Sequence, residues 1–190
     1  MNKNDRRFRR TERMIRDNFI DLMAKMPIDE ITIQAITDRA DINRRTFYLH
    51  YDDIYDLLNG TENYVIDHFA KMLQDFESPE DENMIGPIFF QTIMTYIADN
   101  QKMIGVLCRN PDSQLMHKLI DLTVTHGQKV IPFENTENSG YILNYCCWGM
   151  VGVLHTAMRQ ENFDLTGLSS LADRLLRSTL EADGINQNKV

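Results

Sequence analysis

Apolar residues recur three and four positions apart along almost the whole chain, and no stretch alternates apolar with polar for the length of a strand. That period belongs to helices with one buried face, and the missing alternation removes the sheet from consideration. Ile15, Phe19, Leu22, Met23 and Met26 share one face of a first helix. Pro27 ends it, because the residue before proline is pushed out of helical geometry. Thr32 can cap a short second helix over 33–39, with Ile33 and Ile36 facing inward. Asp41, Ile42 and Asn43 form a break, and Asn43 can cap a third helix over 44–51 with Phe47 and Tyr51 inward. Asp52 and Asp53 suit the start of a fourth helix over 53–74. The Ser/Pro/acid stretch 77–82 reads as a surface loop, and helices follow over 86–100, 101–108, 113–129, 139–160 and 168–182.

Net charge over the 190 residues is −8, which is unpromising for a partner of nucleic acid until its distribution is considered. Residues 1–50 hold 11 Lys and Arg against 8 Asp and Glu, whereas 51–190 hold 9 against 20. Within 1–16 the ratio is 7 to 2. Salt screens charges beyond ~8 Å at physiological ionic strength, so a contact surface feels its own local field. A basic end on an acidic body is compatible with one nucleic-acid face. No apolar run reaches the ~18 residues that span a bilayer. No apolar stretch follows the basic N-terminus, so no secretory signal is expected. Cys108, Cys146 and Cys147 have no CxxC spacing and read as reduced, buried thiols, which points to a cytoplasmic protein.

The second and third helices with their turn occupy residues 32–51, the footprint of a helix-turn-helix. Ile33, Ile36, Ala40, Ile42 and Phe47 can lock the two helices together. The outward side of the later helix offers donors from Arg44, Arg45, Thr46, Tyr48 and His50. Thr32 and Gln34, at a helix start with main-chain amides beside them, can grip phosphate.

Residues 31–58, and above all Thr46-Phe47-Tyr48-Leu49-His50-Tyr51 followed by Leu57-Leu58, resemble the TetR/AcrR family of bacterial one-component regulators. With the first helix included, the resemblance covers about residues 10–60. It implies that Thr46 and His50 contact phosphate and that Tyr48 meets phosphate or a thymine methyl. Arg44 and Arg45 are then the best base readers, because Arg pairs bidentately with guanine. Asp41 stands where the family usually has Gly, and Ile54 where it often has a phosphate-gripping Lys. Arg6, Arg7, Arg9 and Arg10 offer replacement contacts to backbone or minor groove.

The expected fold is therefore all-α, an N-terminal three-helix helix-turn-helix domain followed by a helical ligand-binding and dimerisation bundle. Its boundaries are 1–52 for the DNA-binding domain, 53–76 for a connecting helix and 84–183 for the regulatory domain. The resemblance implies a small-molecule effector in the C-terminal half and a homodimer built from the helices at 139–160 and 168–182. Gly149 and Gly152 permit close helix approach, and Leu168, Leu171, Leu175, Leu176 and Leu180 form a one-faced stripe. Candidate ligand-lining residues are Met94, Tyr96, Met103, Leu107, Met116, Trp148, His155 and Met158, although such residues at helical spacing mostly serve packing.

The expected function is a ligand-responsive repressor that binds an inverted repeat in double-stranded DNA. The alternative is an activator with the same head controlled by a protein partner. No membrane partner or cofactor is expected. The chain has no GxSxG, Walker A, HExxH or Rossmann glycine pattern, and its five histidines lack metal spacing, so an enzyme is not expected.

Overall fold

The computed structural model describes residues 6–132 and 137–157, together with Leu171, Arg174, Leu175, Ser178 and Thr179. These residues form helices joined by turns and irregular segments, with no strand among them. In chain order the helices are α1 (Arg6–Met23), α2 (Ile33–Arg39), α3 (Arg44–Phe47), α4 (Ile54–Gln74), α5 (Glu82–Asp99), α6 (Gln101–Arg109), α7 (Leu115–Val130) and α8 (Ser139–Ala157). A 3-10 turn at Ile28–Glu30, which the apolar spacing did not reveal, joins α1 to α2. Most of the helix predicted over 168–182 lies outside the described residues.

Three helices differ from their sequence patterns, the first being α1, which ends at Met23 and so stops short of Met26 and of Pro27. α3 ends at Phe47, not Tyr51, although the chain keeps winding: the His50 amide donates to the Phe47 carbonyl at 2.8 Å and the Tyr51 amide at 3.0 Å. α5 begins at Glu82, four residues before its predicted start, and so takes Pro87 inside it. Proline cannot donate to the carbonyl four residues earlier, which makes it a start signal in sequence and a weak point within a helix.

The chain divides into two compact units that do not follow chain order. One comprises Met1–His68 and Asn100–Met116, the other Phe69–Asp99 and His117–Val190. Within the stretch 84–183, α6 thus belongs with the N-terminal helices. It packs on α1, and Lys102 pairs with Asp21 of α1 at 2.5 Å.

The core of the first unit holds Ile15, Phe19, Ile36, Phe47, Leu57, Leu107 and Leu115, all with essentially no exposure. Burying each such side chain contributes roughly 1.5–3 kcal/mol. Glu62 of α4 is also buried, and its carboxylate accepts the Gln114 amide at 3.0 Å just before α7. Tyr51 packs so closely on α4 that a β-carbon built at Gly60 lies 2.7 Å from its ring.

In the second unit Phe89, Phe90, Ile93, Phe69, Leu73, Leu119 and Ile120 form the core with one side of α8. That side consists of Leu143, Cys146, Cys147 and Met150. Gly127 of α7 lets Leu143 and Phe89 approach: an added β-carbon would sit 3.1 Å and 3.3 Å from them.

Gly60→Ala should destabilise the protein even though alanine favours helix by about 1 kcal/mol. Overpacking against Tyr51 costs ~1–3 kcal/mol, so a net loss of about 1 kcal/mol is expected in urea unfolding. An unchanged or raised midpoint would show that the ring seat is soft.

Candidate nucleic-acid interface

α3 is held at both ends by local chemistry. Ala40 closes α2, and Asp41 follows with φ 51°, the left-handed region. The Ile42 amide then donates back to the Thr37 carbonyl at 3.0 Å, a bond that ends a helix through a left-handed residue. Gly is the usual residue there, but Asp tolerates the conformation better than most others. Asn43 opens α3: its Oδ1 accepts the Thr46 amide at 2.8 Å and the Thr46 hydroxyl at 3.0 Å.

Beyond the turn, Asp53 accepts the Asp56 amide at 2.8 Å, and Asp56 accepts the Asp52 amide at 3.0 Å. The carboxylates of Asp53 and Asp56 therefore satisfy free amides at the start of α4, in the manner of a capping box. They flank Ile54, an apolar side chain that offers no donor at the start of α4.

On this frame Arg44 and Arg45 are exposed, and Tyr48 is 53% exposed, while Phe47 between them is fully buried. Thr32 is exposed, and its hydroxyl oxygen caps α2 by accepting the Ala35 amide at 3.1 Å. The Gln34 amide donates along the helix to Asp38. Thr46 is half-buried with its hydroxyl proton directed to Asn43, so the oxygen lone pairs, not the proton, face outward chemistry.

His50 is half-buried and stacks on Phe8 of α1, with ring centroids 4.0 Å apart. Its Nδ1 is buried without a hydrogen-bond partner. Burial lowers its pKa from the ordinary histidine value, with Glu12 opposing the shift more weakly. Tyr51 is buried below it, and its hydroxyl donates to Glu12 at 3.5 Å. Burial, then Glu12, raises the Tyr51 pKa.

Sequence reasoning missed Phe8, Arg13 and Arg16 as neighbours of this region. Arg16 is buried with its guanidinium carbon 3.4 Å from the centroid of the Tyr64 ring. A spacing test would have found it, because Arg6, Arg9, Arg13 and Arg16 repeat every three to four residues on one helix face.

The candidate ligand-lining residues fall into both units. Met103, Leu107 and Met116 belong to the first, where Leu107 is a fully buried core residue and the methionines are half-buried. Met94, Tyr96 and Trp148 belong to the second. There Tyr96 packs on Phe69 with centroids 5.3 Å apart, and exposed Trp148 meets His117 edge-on at 5.6 Å. The His155 side chain and Met158 lie outside the described residues.

Cys146 and Cys147 are buried and Cys108 partly so, with no disulfide among them. Burial pushes the thiols of Cys108 and Cys146 up to about 11 and that of Cys147 to about 12. Such thiols are poor nucleophiles near neutral pH. Among the described residues, no three His, Cys, Asp or Glu side chains group to hold a metal ion.

Compared with protein-family models, curated proteins and solved structures, the chain matches none.

A histidine whose folded pKa is lowered contributes stability that is present above the unfolded value of about 6.5 and is lost as pH falls below it. His50 and His126 both lie in this direction, each chiefly through burial. His50→Gln should therefore flatten part of the stability loss between about pH 7.5 and 5.5, measured by urea unfolding at each pH. A variant that loses stability as steeply as the parent would assign the whole acid sensitivity to other groups.

Proposed function

We propose that the protein is a sequence-specific DNA-binding transcription regulator, a ligand-responsive repressor that grips an inverted repeat as a homodimer. The observation that carries this reading is the α2–turn–α3 unit. Arg44, Arg45 and Tyr48 stand outside a short helix that Phe47 anchors from within and Asn43 caps. In this reading α2 and α3 are a helix-turn-helix and α3 enters the major groove. Arg44 and Arg45 read guanine edges, and Tyr48 touches backbone or a thymine methyl. Thr32 and the α2 amides beside it, Gln34 and a neutral His50 hold phosphates, and Thr46 joins them once its hydroxyl proton turns from Asn43 to the phosphate.

The arginines of α1 supply the positive field that an acidic protein needs at this face. Binding that depends on neutralised phosphates weakens steeply with salt. α4 runs from the first unit into the second, since His68 and Phe69 are consecutive residues within it. An effector held in the second unit would act by shifting this helix and hence the spacing of two reading heads.

Dimerisation is assigned to α8. Tyr141, Tyr145 and Trp148 are 79%, 70% and 45% exposed on the side opposite its buried face. Gly149 and Gly152 lie on the same side, with open space where their β-carbons would be. Large aromatics beside glycines give another helix both apolar area and room to approach, and a symmetric pair would cover the same face twice.

Selection of bound sequences from random duplexes should return a short inverted repeat. Arg44→Ala should then lose ~1–3 kcal/mol of specific affinity while non-specific affinity changes less. Equal affinity of parent and variant for the selected site would remove α3 as the reader. Separately, Tyr145→Glu should raise the dimer dissociation constant by at least about tenfold in sedimentation experiments. A parent chain that stays monomeric at all concentrations would sink the dimer.

A further inference from the structure

α1 borders a cleft of about 950 Å³ that no residue of α2 or α3 lines. Six arginines of α1 line it, against one carboxylate, Glu12. Arg6, Arg9, Arg10, Arg13 and Arg16 make a single stripe of helical period, ~15 Å long at 1.5 Å per residue. Tyr64 of α4 forms the far side.

The arginines are not equivalent. Arg6, Arg9, Arg10 and Arg13 are exposed, as a solvated basic face would be. Arg16 is only 5% exposed and lines the same cleft. Its guanidinium lies over the Tyr64 ring, and its Nε, buried, has no hydrogen-bond partner. A buried guanidinium ordinarily has a carboxylate or carbonyl to accept its fork of donors. Here the face is covered by an aromatic ring and an in-plane donor lacks an acceptor. An anion would supply such an acceptor, and the rim of further arginines suits one that carries more than one negative charge.

We propose that this cleft binds a small polyanion of the oligophosphate class, with Arg16 as the anchor and Arg10 and Arg13 as the outer clamp. A duplex offers its phosphates on a broad convex surface and meets protruding donors such as Arg6 and Arg9. A guanidinium recessed in a cleft is reached instead by an anion on a narrow stem, which favours a free ligand over a nucleic-acid backbone. The site does not depend on the DNA-reading role of α3.

The test is calorimetric titration of the full chain with sodium tripolyphosphate at physiological ionic strength. One equivalent per chain should bind saturably. Arg16→Met should weaken binding by at least about tenfold, the scale of a lost charge-assisted bidentate contact. The pair Arg10→Ala and Arg13→Ala, both surface changes, should weaken it by several fold and decides the matter if Arg16→Met does not fold. Arg109→Ala on α6, outside the cleft, should leave it unchanged. Absence of saturable binding overturns the proposal, as does binding that survives the Arg10 and Arg13 changes or is lost equally with Arg109→Ala. Binding of a random-sequence duplex that depends on Arg16, without tripolyphosphate binding, also overturns it and makes the cleft a grip on nucleic-acid backbone.

Discussion

Phe47 is a fully buried core residue on a helix only four residues long. A helix of that length has no stability of its own, because nucleation costs more than one turn of hydrogen bonds returns. It persists here because Phe47 is buried with its ring centroid 6.0 Å from that of Tyr51, because α2 packs on α3, and because Asp41 and Asn43 fix the chain on its approach. The exposed arginines inherit that rigidity. A side chain on a pinned helix loses less freedom on binding than one on a loose loop, which is the physical advantage of presenting donors in this way.

The same packing restrains two residues that would otherwise be free to act. Thr46 turns its hydroxyl proton to Asn43, and His50 lies against Phe8 with a buried nitrogen. Burial keeps His50 in its neutral form, so it offers a hydrogen bond and no charge. Positive charge near the region comes from arginine, from Arg44 and Arg45 on α3 and from the stripe on α1. Within that stripe Arg16 stands apart, since burial and stacking on Tyr64 remove it from the solvated set.

In the second unit α8 carries apolar side chains on two sides, only one of which is buried. Leu143, Cys146, Cys147 and Met150 fill the core, while Tyr141, Tyr145 and Trp148 stand in solvent. A sequence apolar on several sides cannot say which side faces the core. Packing decides, because Leu143 fits the space left open by Gly127.

Residue order alone determined that the chain is helical, where most helices begin and end, and where the capped pair around residues 32–47 lies. These are matters of period, proline and capping side chains, all settled within a few positions of one another. The exposure of Arg44, Arg45 and Tyr48 was legible for the same reason, as the polar face of an amphipathic turn. The 3-10 turn at Ile28–Glu30 and the early start of α5 were not, because each overrides a weak local preference. Only tertiary structure decided that α6 packs with α1 and that His50 rests on Phe8. The burial of Arg16 over Tyr64 is decided in the same way. Each of these joins residues tens of positions apart, and burial, which sets their chemistry, belongs to the packed chain and to no single segment.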